Sequence, residues 1–371
     1  MKIGILGIRG LPLEDVSFGG FEAFISGLAP RLAERGHEVT VYCRRDLYTR
    51  RPTSHPGVRL QYVPSIEQKA LGTPLHTLLC ACHATLCAYD AILVLNSGNG
   101  LQCGILRLAT RARLALNVDG VEWDRSKWGR LARAYFKLAS YWGIRFVHMP
   151  IVDSRGIGDV YRSTFGRDTT FIPYATELYS SPEDEKVRAI GLNSGSYALV
   201  VGRLVPENCT DIVIQGFQRG LPGTGLVVVG GSNYQSSYHR HLRSIADGSV
   251  VFLGHVHDQA LLWQLFRHSR VYLHGHSVGG TNPGLLQALA AGCCIGANGV
   301  TFNREVVGDA GMFFEPTANS VAEVAKRLWR LTPAARKSLS ERAQKRIAEG
   351  AYTWDRVVTL YELALQGGRT S

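Results

Sequence analysis

Short apolar runs alternate along the chain with longer segments in which apolar residues recur every three or four positions. The short runs have the length of buried strands, and the longer segments have the period of amphipathic helices. Because each helix returns the chain to the start of the sheet, such strands pair in parallel and predict an α/β fold. The first half has predicted strands at Lys2–Leu6, Glu38–Cys43, Ala91–Leu95 and Ala112–Val118, and a helix at Phe21–Arg35.

A polar stretch, Glu177–Ser196, follows a predicted strand at Thr170–Tyr174 and is typical of a linker. At 371 residues the chain suits two α/β domains. We expect a Rossmann-like domain over 1–175, a second over 176–350, and a helix over 351–371 that packs back on the first domain. The second alternation has predicted strands at Tyr197–Gly202, Gly225–Gly231, Ser249–Leu253 and Val271–His274, and helical stretches at Val321–Ala348 and Trp354–Leu365.

The net charge of +11 and the pI near 9.4 call for an anionic partner: a nucleic acid, a lipid surface or a phosphorylated substrate. The segment from Lys127 to Arg145 interleaves cations and aromatic residues at near-helical spacing. Two interpretations stay open for it, a helix on an anionic membrane surface and a solvated helix whose aromatic residues pack inward. No aromatic-basic nucleic-acid motif is recognisable, so we expect no nucleic-acid partner.

The opening Met1–Gly10 reads as a strand that runs into a glycine turn, and it lacks the pattern of a signal peptide. We therefore expect a cytoplasmic protein. Its eight cysteines form no CxxC pair, which predicts reduced thiols. Cys80, Cys82, His83 and Cys87 raise the alternative of a metal site, but their apolar surroundings favour a buried helix.

Glycine-rich turns follow three predicted strands. Gly19-Gly20 opens the first long helix, whose free N–H groups attract phosphate, and no GxGxxG fingerprint of a dinucleotide enzyme is present. Gly202-Arg203 directly follows a strand and places a cation where doubly wound folds bind ligands. The loop from His276 opens onto a helix that Thr281 or Asn282 can cap and whose first turn suits Pro283.

The segments Val201–Asn208 and Gly280–Gly292 resemble the donor site of retaining GT-B glycosyltransferases of family GT4. Together with Gly19–Glu22, Asn117–Trp123 and Phe302–Val306, they are similar to the rhamnosyltransferase branch that builds bacterial capsules and cell-surface polysaccharides. The resemblance covers nearly the whole chain. It implies the GT-B fold, in which two Rossmann-like domains face each other across a cleft.

The resemblance also assigns residues to the donor. It implies that Gly202 and Arg203 hold the donor diphosphate and that Gly19-Gly20 meets the same phosphates. The amides from Gly280 to Gly284 should lie near the sugar and the distal phosphate, and His255-Val256 near the nucleobase. The other donor-site positions are Asn208, Thr281, Asn282, Pro283, Leu285 and Gln287.

Asp119 stands where related enzymes carry a histidine beside the reacting sugar. The resemblance gives it a catalytic role, with a turn residue as the alternative because Gly120 follows. Acceptor contacts are predicted at Arg9, Glu22, Glu122 and Trp123, with surface or capping roles as the alternative for the two glutamates.

Three positions depart from the broader GT4 pattern. Asn208 replaces a basic residue, and Gly279 and Gln287 replace a pair of glutamates. Gln287 can still hydrogen-bond ribose hydroxyls, because an amide both donates and accepts. The loss of the first glutamate fits a donor other than the common hexoses.

The predicted reaction transfers a sugar, L-rhamnose from dTDP-rhamnose being the best match, with retention onto a hydroxyl of a lipid-linked saccharide. No DxD-type metal motif is present, so we expect metal-independent chemistry without a cofactor. The enzyme should act peripherally at the inner face of the cytoplasmic membrane. The alternatives are a transferase for another UDP- or GDP-sugar, a sugar-nucleotide epimerase, and an inactive membrane-binding module.

Overall fold

A computed structural model of the chain describes residues 1–12, 19–65, 72–125, 128–231 and 237–368. The chain divides into two compact units. Unit 1 runs from Met1 to Tyr174 and takes in the segment that begins at Trp354, and unit 2 runs from Ala175 to Thr353. No helix among the described residues is long and apolar enough to cross a membrane.

Unit 1 is built on a sheet of order β3-β4-β2-β1-β5-β6-β7-β8, in which only the β3–β4 pair is antiparallel. Its strands are β1 (Lys2–Leu6), β2 (Glu38–Arg44), β3 (Ser54–His55), β4 (Val58–Val63), β5 (Ala91–Leu95), β6 (Arg113–Asn117), β7 (Met149–Val152) and β8 (Thr170–Phe171). Its helices in the described residues are α1 (Gly20–Glu34), α2 (Gly72–Thr85), α3 (Gln102–Ala109), α4 (Arg130–Phe146), α5 (Arg155–Phe165) and α14 (Trp354–Gln366).

The last helix, α14, belongs to the core of unit 1. The Tyr361 ring packs 5.5 Å from that of Phe24, and its hydroxyl accepts a 2.7 Å hydrogen bond from Asn117 Nδ2 at the end of β6. Tyr361 and Asn117 are both fully buried. A buried amide needs such a partner, so the hydrogen bond from Asn117 to Tyr361 fixes the end of β6 against α14.

Unit 2 has an all-parallel sheet of order β11-β10-β9-β12-β13-β14. Its strands are β9 (Tyr197–Val201), β10 (Gly225–Val229), β11 (Val250–Gly254), β12 (Val271–His274), β13 (Ile295–Asn298) and β14 (Gly311–Phe314). Its helices in the described residues are α6 (Glu185–Ala189), α7 (Thr210–Gly220), α8 (Ser237–Ile245), α9 (Gln259–His268), α10 (Pro283–Ala290), α11 (Thr301–Val307), α12 (Ala318–Trp329) and α13 (Pro333–Ala348).

The predicted α/β class is confirmed, and three details of the prediction are wrong. The strand expected over Thr170–Tyr174 ends at Phe171. The polar stretch expected to be a linker contains α6, which is held because Gln264 accepts the N–H groups of Lys186 and Val187. The single helical stretch expected at Val321–Ala348 is two helices, because Thr332 caps α13 and Pro333 occupies its first turn.

Candidate active site

The loops after the central strands of unit 2 lie side by side at the carboxyl edge of the sheet. The Gly202 N–H donates to Val229 O at 3.0 Å, and the Gly230 N–H donates to Gly254 O at 2.7 Å. These bonds connect the ends of β9, β10 and β11. The predicted donor residues Gly202 and Arg203 therefore stand at the middle of this edge.

The loop after β12 packs directly against Gly202. A Cβ at this position would come within 2.8 Å of His276 Cε1, so the approach requires glycine. The Ser277 hydroxyl donates to Glu207 O at 2.8 Å, and the Ser277 N–H donates to the same oxygen at 3.0 Å. The Gly202-Arg203 turn and the start of the glycine loop thus form one assembly.

Asn208 supports this turn from inside. Its Nδ2 donates to Arg203 O at 2.8 Å, and the residue is buried, whereas the Arg203 side chain is exposed. The position at which the resemblance expects a second cation thus carries a structural amide, and Arg203 supplies the positive charge of this turn.

The glycine loop ends in a capped helix. Asn282 is the residue that caps α10: its Oδ1 accepts from Gly284 N at 2.9 Å and from Leu285 N at 3.4 Å. Pro283 occupies the first turn as predicted, and Thr281 is buried beside it. The side-chain cap therefore satisfies the first amides of α10 in this structure, and Gly280 leads into them.

Gly279 explains why the expected glutamate is absent. Its φ is +118°, a conformation that residues with a side chain rarely adopt, and nothing lies within 4 Å of a Cβ built there. The backbone, rather than lack of space, excludes the glutamate. Gln287, the other departure, is half-buried on α10.

His255 and Val256 follow β11. His255 is exposed and its ring lies 4.4 Å from that of His257, while Val256 is half-buried. The partial desolvation of the ring and the neighbouring His257 lower the pKa of His255. His255 and Val256 lie at the same edge of the sheet as Gly230, because the Gly230 N–H donates to Gly254 O at the end of β11.

Sequence reasoning missed a histidine pair beside Arg203. The His274 and His276 rings stack with centroids 4.2 Å apart and planes 4° from parallel. Burial and the Arg203 charge lower the pKa of His276 to about 3, and burial and His276 lower that of His274 well below its usual range. Both rings are therefore neutral near pH 7. The signal was available in the His-x-His spacing at the end of β12.

Asn303 lies in the Phe302–Val306 segment that contributes to the family resemblance, and the structure gives it a structural role. It is fully buried, and its Nδ2 donates to His276 O at 3.0 Å and to Asn298 O at 3.0 Å. These bonds connect the end of β13 to the loop after β12. Asn303 thus fixes the loop that carries His276.

In unit 1, Arg9 and Glu22 form an ion pair at the start of α1. Arg9 Nε lies 3.2 Å from Glu22 Oε1, and Glu22 Oε2 accepts from Gly19 N at 2.9 Å. Glu22 is buried and caps the helix, which was the alternative to an acceptor contact. Gly20, the first residue of α1, is exposed.

Asp119 stands just beyond β6 in a left-handed conformation, with φ of +69°. Its N–H donates to Asn117 Oδ1 at 3.0 Å, and its Oδ1 accepts from the Tyr174 hydroxyl at 3.4 Å. Burial and the Asp119 carboxylate raise the pKa of Tyr174 well above its usual range, so that hydroxyl keeps its proton. A non-glycine residue held at positive φ is strained, and such strain concentrates at functional sites.

Glu122 and Trp123 have partners inside unit 1. Glu122 Oε1 lies 2.6 Å from Arg125 Nε, and Arg125 Nη2 lies 3.8 Å from Asp119 Oδ2. Glu122 is therefore connected to Asp119 through a shared arginine. Trp123 is buried and packs its ring 5.3 Å from that of Tyr161 in the core of unit 1.

The cysteine-rich helix α2 is packed by its own neighbours. Cys80 Sγ lies 3.5 Å from His76 Nε2, and His83 Nδ1 is 2.9 Å from the Tyr42 hydroxyl. Over the described ranges, no group of three or more His, Cys, Asp or Glu side chains is placed to hold a metal ion.

Two family models match the chain. Residues 195–332, which hold all six strands of the unit 2 sheet, match the family described as Glycosyl transferases group 1. Residues 105–177 match a domain of unknown function, DUF1972. No curated protein sequence gives a significant match.

Solved structures resemble the chain over its whole length. Sucrose-phosphate synthase from Thermosynechococcus elongatus superposes with a TM-score of 0.83 at 18% identity, covering 99% of this chain and 98% of its own. HepE from Anabaena, in complex with UDP-glucose, gives 0.79 at 16%, covering 99% and 100%. A UDP-forming trehalose-phosphate synthase from Burkholderia xenovorans, with glucose-6-phosphate, gives 0.76 at 12%, covering 99% and 100%.

The chain has the GT-B fold, and residues 195–332 of unit 2 match the glycosyltransferase group 1 family. These matches indicate a transferase enzyme.

The buried histidines predict a pH dependence of stability. The pKa is lowered to about 4 for His76, by burial and Arg44, and to about 3 for His276. The unfolded chain takes up these protons near pH ~6.5 and the folded chain does not, so unfolding becomes easier as the pH falls from there. We expect a slope of up to about 1.4 kcal/mol per pH unit for each histidine.

Urea unfolding between about pH 7 and pH 5 measures this slope. In the His276→Gln variant the slope should decrease by one histidine's share, because glutamine has no proton to gain. An unchanged slope would show that His276 titrates normally in the folded chain.

Proposed function

We propose that the protein transfers a sugar from a nucleoside diphosphate sugar to a hydroxyl of a lipid-linked saccharide in bacterial surface-polysaccharide synthesis. The donor we favour is dTDP-rhamnose. The observation that carries the proposal is the assembly of Gly202, Arg203, His276 and the capped helix α10 inside the region that matches glycosyltransferases. It combines a fixed cation, a closely packed glycine turn and a helix N-terminus.

The chemistry follows from these groups. As the bond from the anomeric carbon to the distal phosphate breaks, the diphosphate gains charge. The acceptor hydroxyl oxygen forms the new bond to the anomeric carbon, and its proton passes to the departing diphosphate oxygen. Arg203 and the dipole of α10, whose first amides Asn282 caps, stabilise that charge, which needs neither a metal nor a cofactor. We propose that the sugar keeps its anomeric configuration.

The donor alternatives are other nucleotide sugars. The HepE structure contains UDP-glucose, so UDP-sugars form the second donor class, with GDP-sugars as the third. The backbone at Gly279 supports a donor that does without a glutamate there.

Donor binding is tested by thermal unfolding with dTDP, UDP and GDP, free and as sugar conjugates. A ligand at 100 times its Kd should stabilise the fold by about 2.7 kcal/mol. Arg203→Ala should weaken binding about tenfold or more, because a charge-assisted bidentate contact is lost. The matched control is Arg342→Ala, an exposed arginine on α13 in the same unit.

Stabilisation by dTDP-rhamnose that is lost in Arg203→Ala but kept in Arg342→Ala supports the proposal. If no nucleotide stabilises the wild type, the inactive membrane-binding module becomes the better account. If the donor is converted to an isomer without acceptor, the protein is an epimerase.

We propose that Asp119 orients the reacting sugar or the acceptor hydroxyl. Asparagine tolerates positive φ and can accept the Tyr174 hydrogen bond, so Asp119→Asn should unfold within about 1 kcal/mol of wild type. Asp119→Ala leaves the buried Tyr174 hydroxyl without its acceptor and should lose about 1–3 kcal/mol. Transfer should fall about 100-fold in both variants.

Urea unfolding and initial rates separate these outcomes. A fully active Asp119→Asn would show that the charge has no catalytic part and that Asp119 is a turn residue.

Membrane association is supported by α4, which contains no acidic residue. Arg130, Arg133 and Lys137 are exposed, and none of them is in an ion pair with another described residue. The same helix exposes Leu131 to 89%, and Leu138 is 51% exposed. Cations beside exposed apolar side chains suit an anionic lipid surface, and this feature supports action at the inner face of the cell membrane.

Lys127, part of the predicted basic segment, lies outside the described residues.

Co-sedimentation with anionic phosphatidylglycerol vesicles tests this surface. Reversing Arg130, Arg133 and Lys137 to Glu should lower the partition coefficient at least about 100-fold, from about 1 kcal/mol per cation. The matched control reverses Arg45, Arg50 and Arg59, which are exposed elsewhere in unit 1. An equal decrease of the partition coefficient in both triple variants would show that binding depends only on net charge. Unchanged binding would show that α4 is not the membrane-binding surface.

A further inference from the structure

Arg44 is the one buried lysine or arginine among the described residues, with 9% of its surface exposed. It ends β2, and its N–H donates to Arg9 O at 2.8 Å. Its Nη2 donates to the Thr73 hydroxyl at the start of α2. Among the described residues, its Nε has no hydrogen-bond partner and no carboxylate lies within ion-pair distance of the guanidinium.

No described carboxylate pairs with Arg44, and Asp46 and Glu22 raise its pKa only from beyond ion-pair distance. Arg9 and Glu22 neutralise each other in their own ion pair. Asp46 is exposed to solvent, and His76 is neutral because burial and Arg44 lower its pKa to about 4. Burial and the Arg9 charge also lower the pKa of Arg44, so the two guanidinium groups act on each other at this edge of the sheet.

A buried guanidinium without a counter-ion is strongly unfavourable, and folded proteins pair such groups or bind an anion with them. Arg44 offers a free Nε at the carboxyl ends of β1 and β2, beside Arg9 and close to the start of α1. An arginine guanidinium can donate two parallel hydrogen bonds to phosphate oxygens, and helix N-termini also favour a bound phosphate. These features call for a phosphate group rather than an uncharged sugar.

We propose that Arg44, with Arg9 and Thr73, forms a subsite that binds a phosphate ester of the acceptor substrate. The identification of the ligand as the acceptor rests on the proposed function, whereas the binding of a phosphate group in unit 1 does not depend on that function.

The experiment titrates the purified full chain with inorganic phosphate, glucose 6-phosphate and geranyl diphosphate at constant ionic strength, following thermal unfolding and ³¹P line broadening. These probes distinguish free phosphate, a sugar phosphate and a lipid-type diphosphate. The variants are Arg44→Met, Arg44→Lys and Arg203→Ala. The matched control is Arg59→Met, which removes an exposed arginine from the neighbouring strand β4.

Phosphate binding should persist in Arg203→Ala and Arg59→Met, and its Kd should rise about tenfold or more in Arg44→Met. Arg44→Lys should give an intermediate Kd, since it keeps the charge without the fork. In the absence of phosphate, Arg44→Met should melt at a higher temperature than wild type, because it removes an uncompensated buried charge.

Loss of the phosphate response in Arg203→Ala, its persistence in Arg44→Met, or its absence from wild type would overturn the subsite. Nucleotide binding is measured separately in Arg44→Met and should be unchanged. A phosphate response that depends on Arg44 without any nucleotide response would reject the donor site and leave the anion subsite standing.

Discussion

Parallel pairing of the strands is the constraint on which the candidate sites of both units depend. Because the strands run in one direction, their carboxyl ends and the loops that follow meet at one edge of each sheet. In unit 1 this edge carries Arg9, Arg44 and Asp119, from positions far apart in the chain. In unit 2 it carries Arg203 and His276. The helices between the strands supply the N-termini that suit anions at the same edge.

These edges are also where the fold leaves its own polar groups unsatisfied. Arg44 Nε and His274 Nε2 are buried without a hydrogen-bond partner among the described residues, and each lies at the end of a strand. Native interiors satisfy nearly all such atoms, so exceptions of this kind call for an explanation. Asp119 adds a strained backbone at the same edge of unit 1.

Periodicity and local chemistry predicted much of this architecture from the sequence. The strand β1, the helix α1 and the Asn282-Pro283 start of α10 follow from patterns within a few residues. Arg44 was not predicted, because a cation at the end of an apolar strand reads as a solvated terminus until α2 covers it. His276 was missed because its contact is with Gly202, across β9 and β12. The helix α6 was missed because its support comes from Gln264, far along the chain. Such tertiary contacts have no signature in local sequence.

The central claim is that a sugar passes from a nucleotide to an acceptor. The most direct measurement is mass spectrometry of a lipid-linked saccharide after incubation with the purified protein and each nucleotide sugar in turn. We expect a mass gain of one sugar residue, accompanied by release of the nucleoside diphosphate, and greatest with dTDP-rhamnose. An acceptor of unchanged mass in the presence of every donor that binds would contradict it.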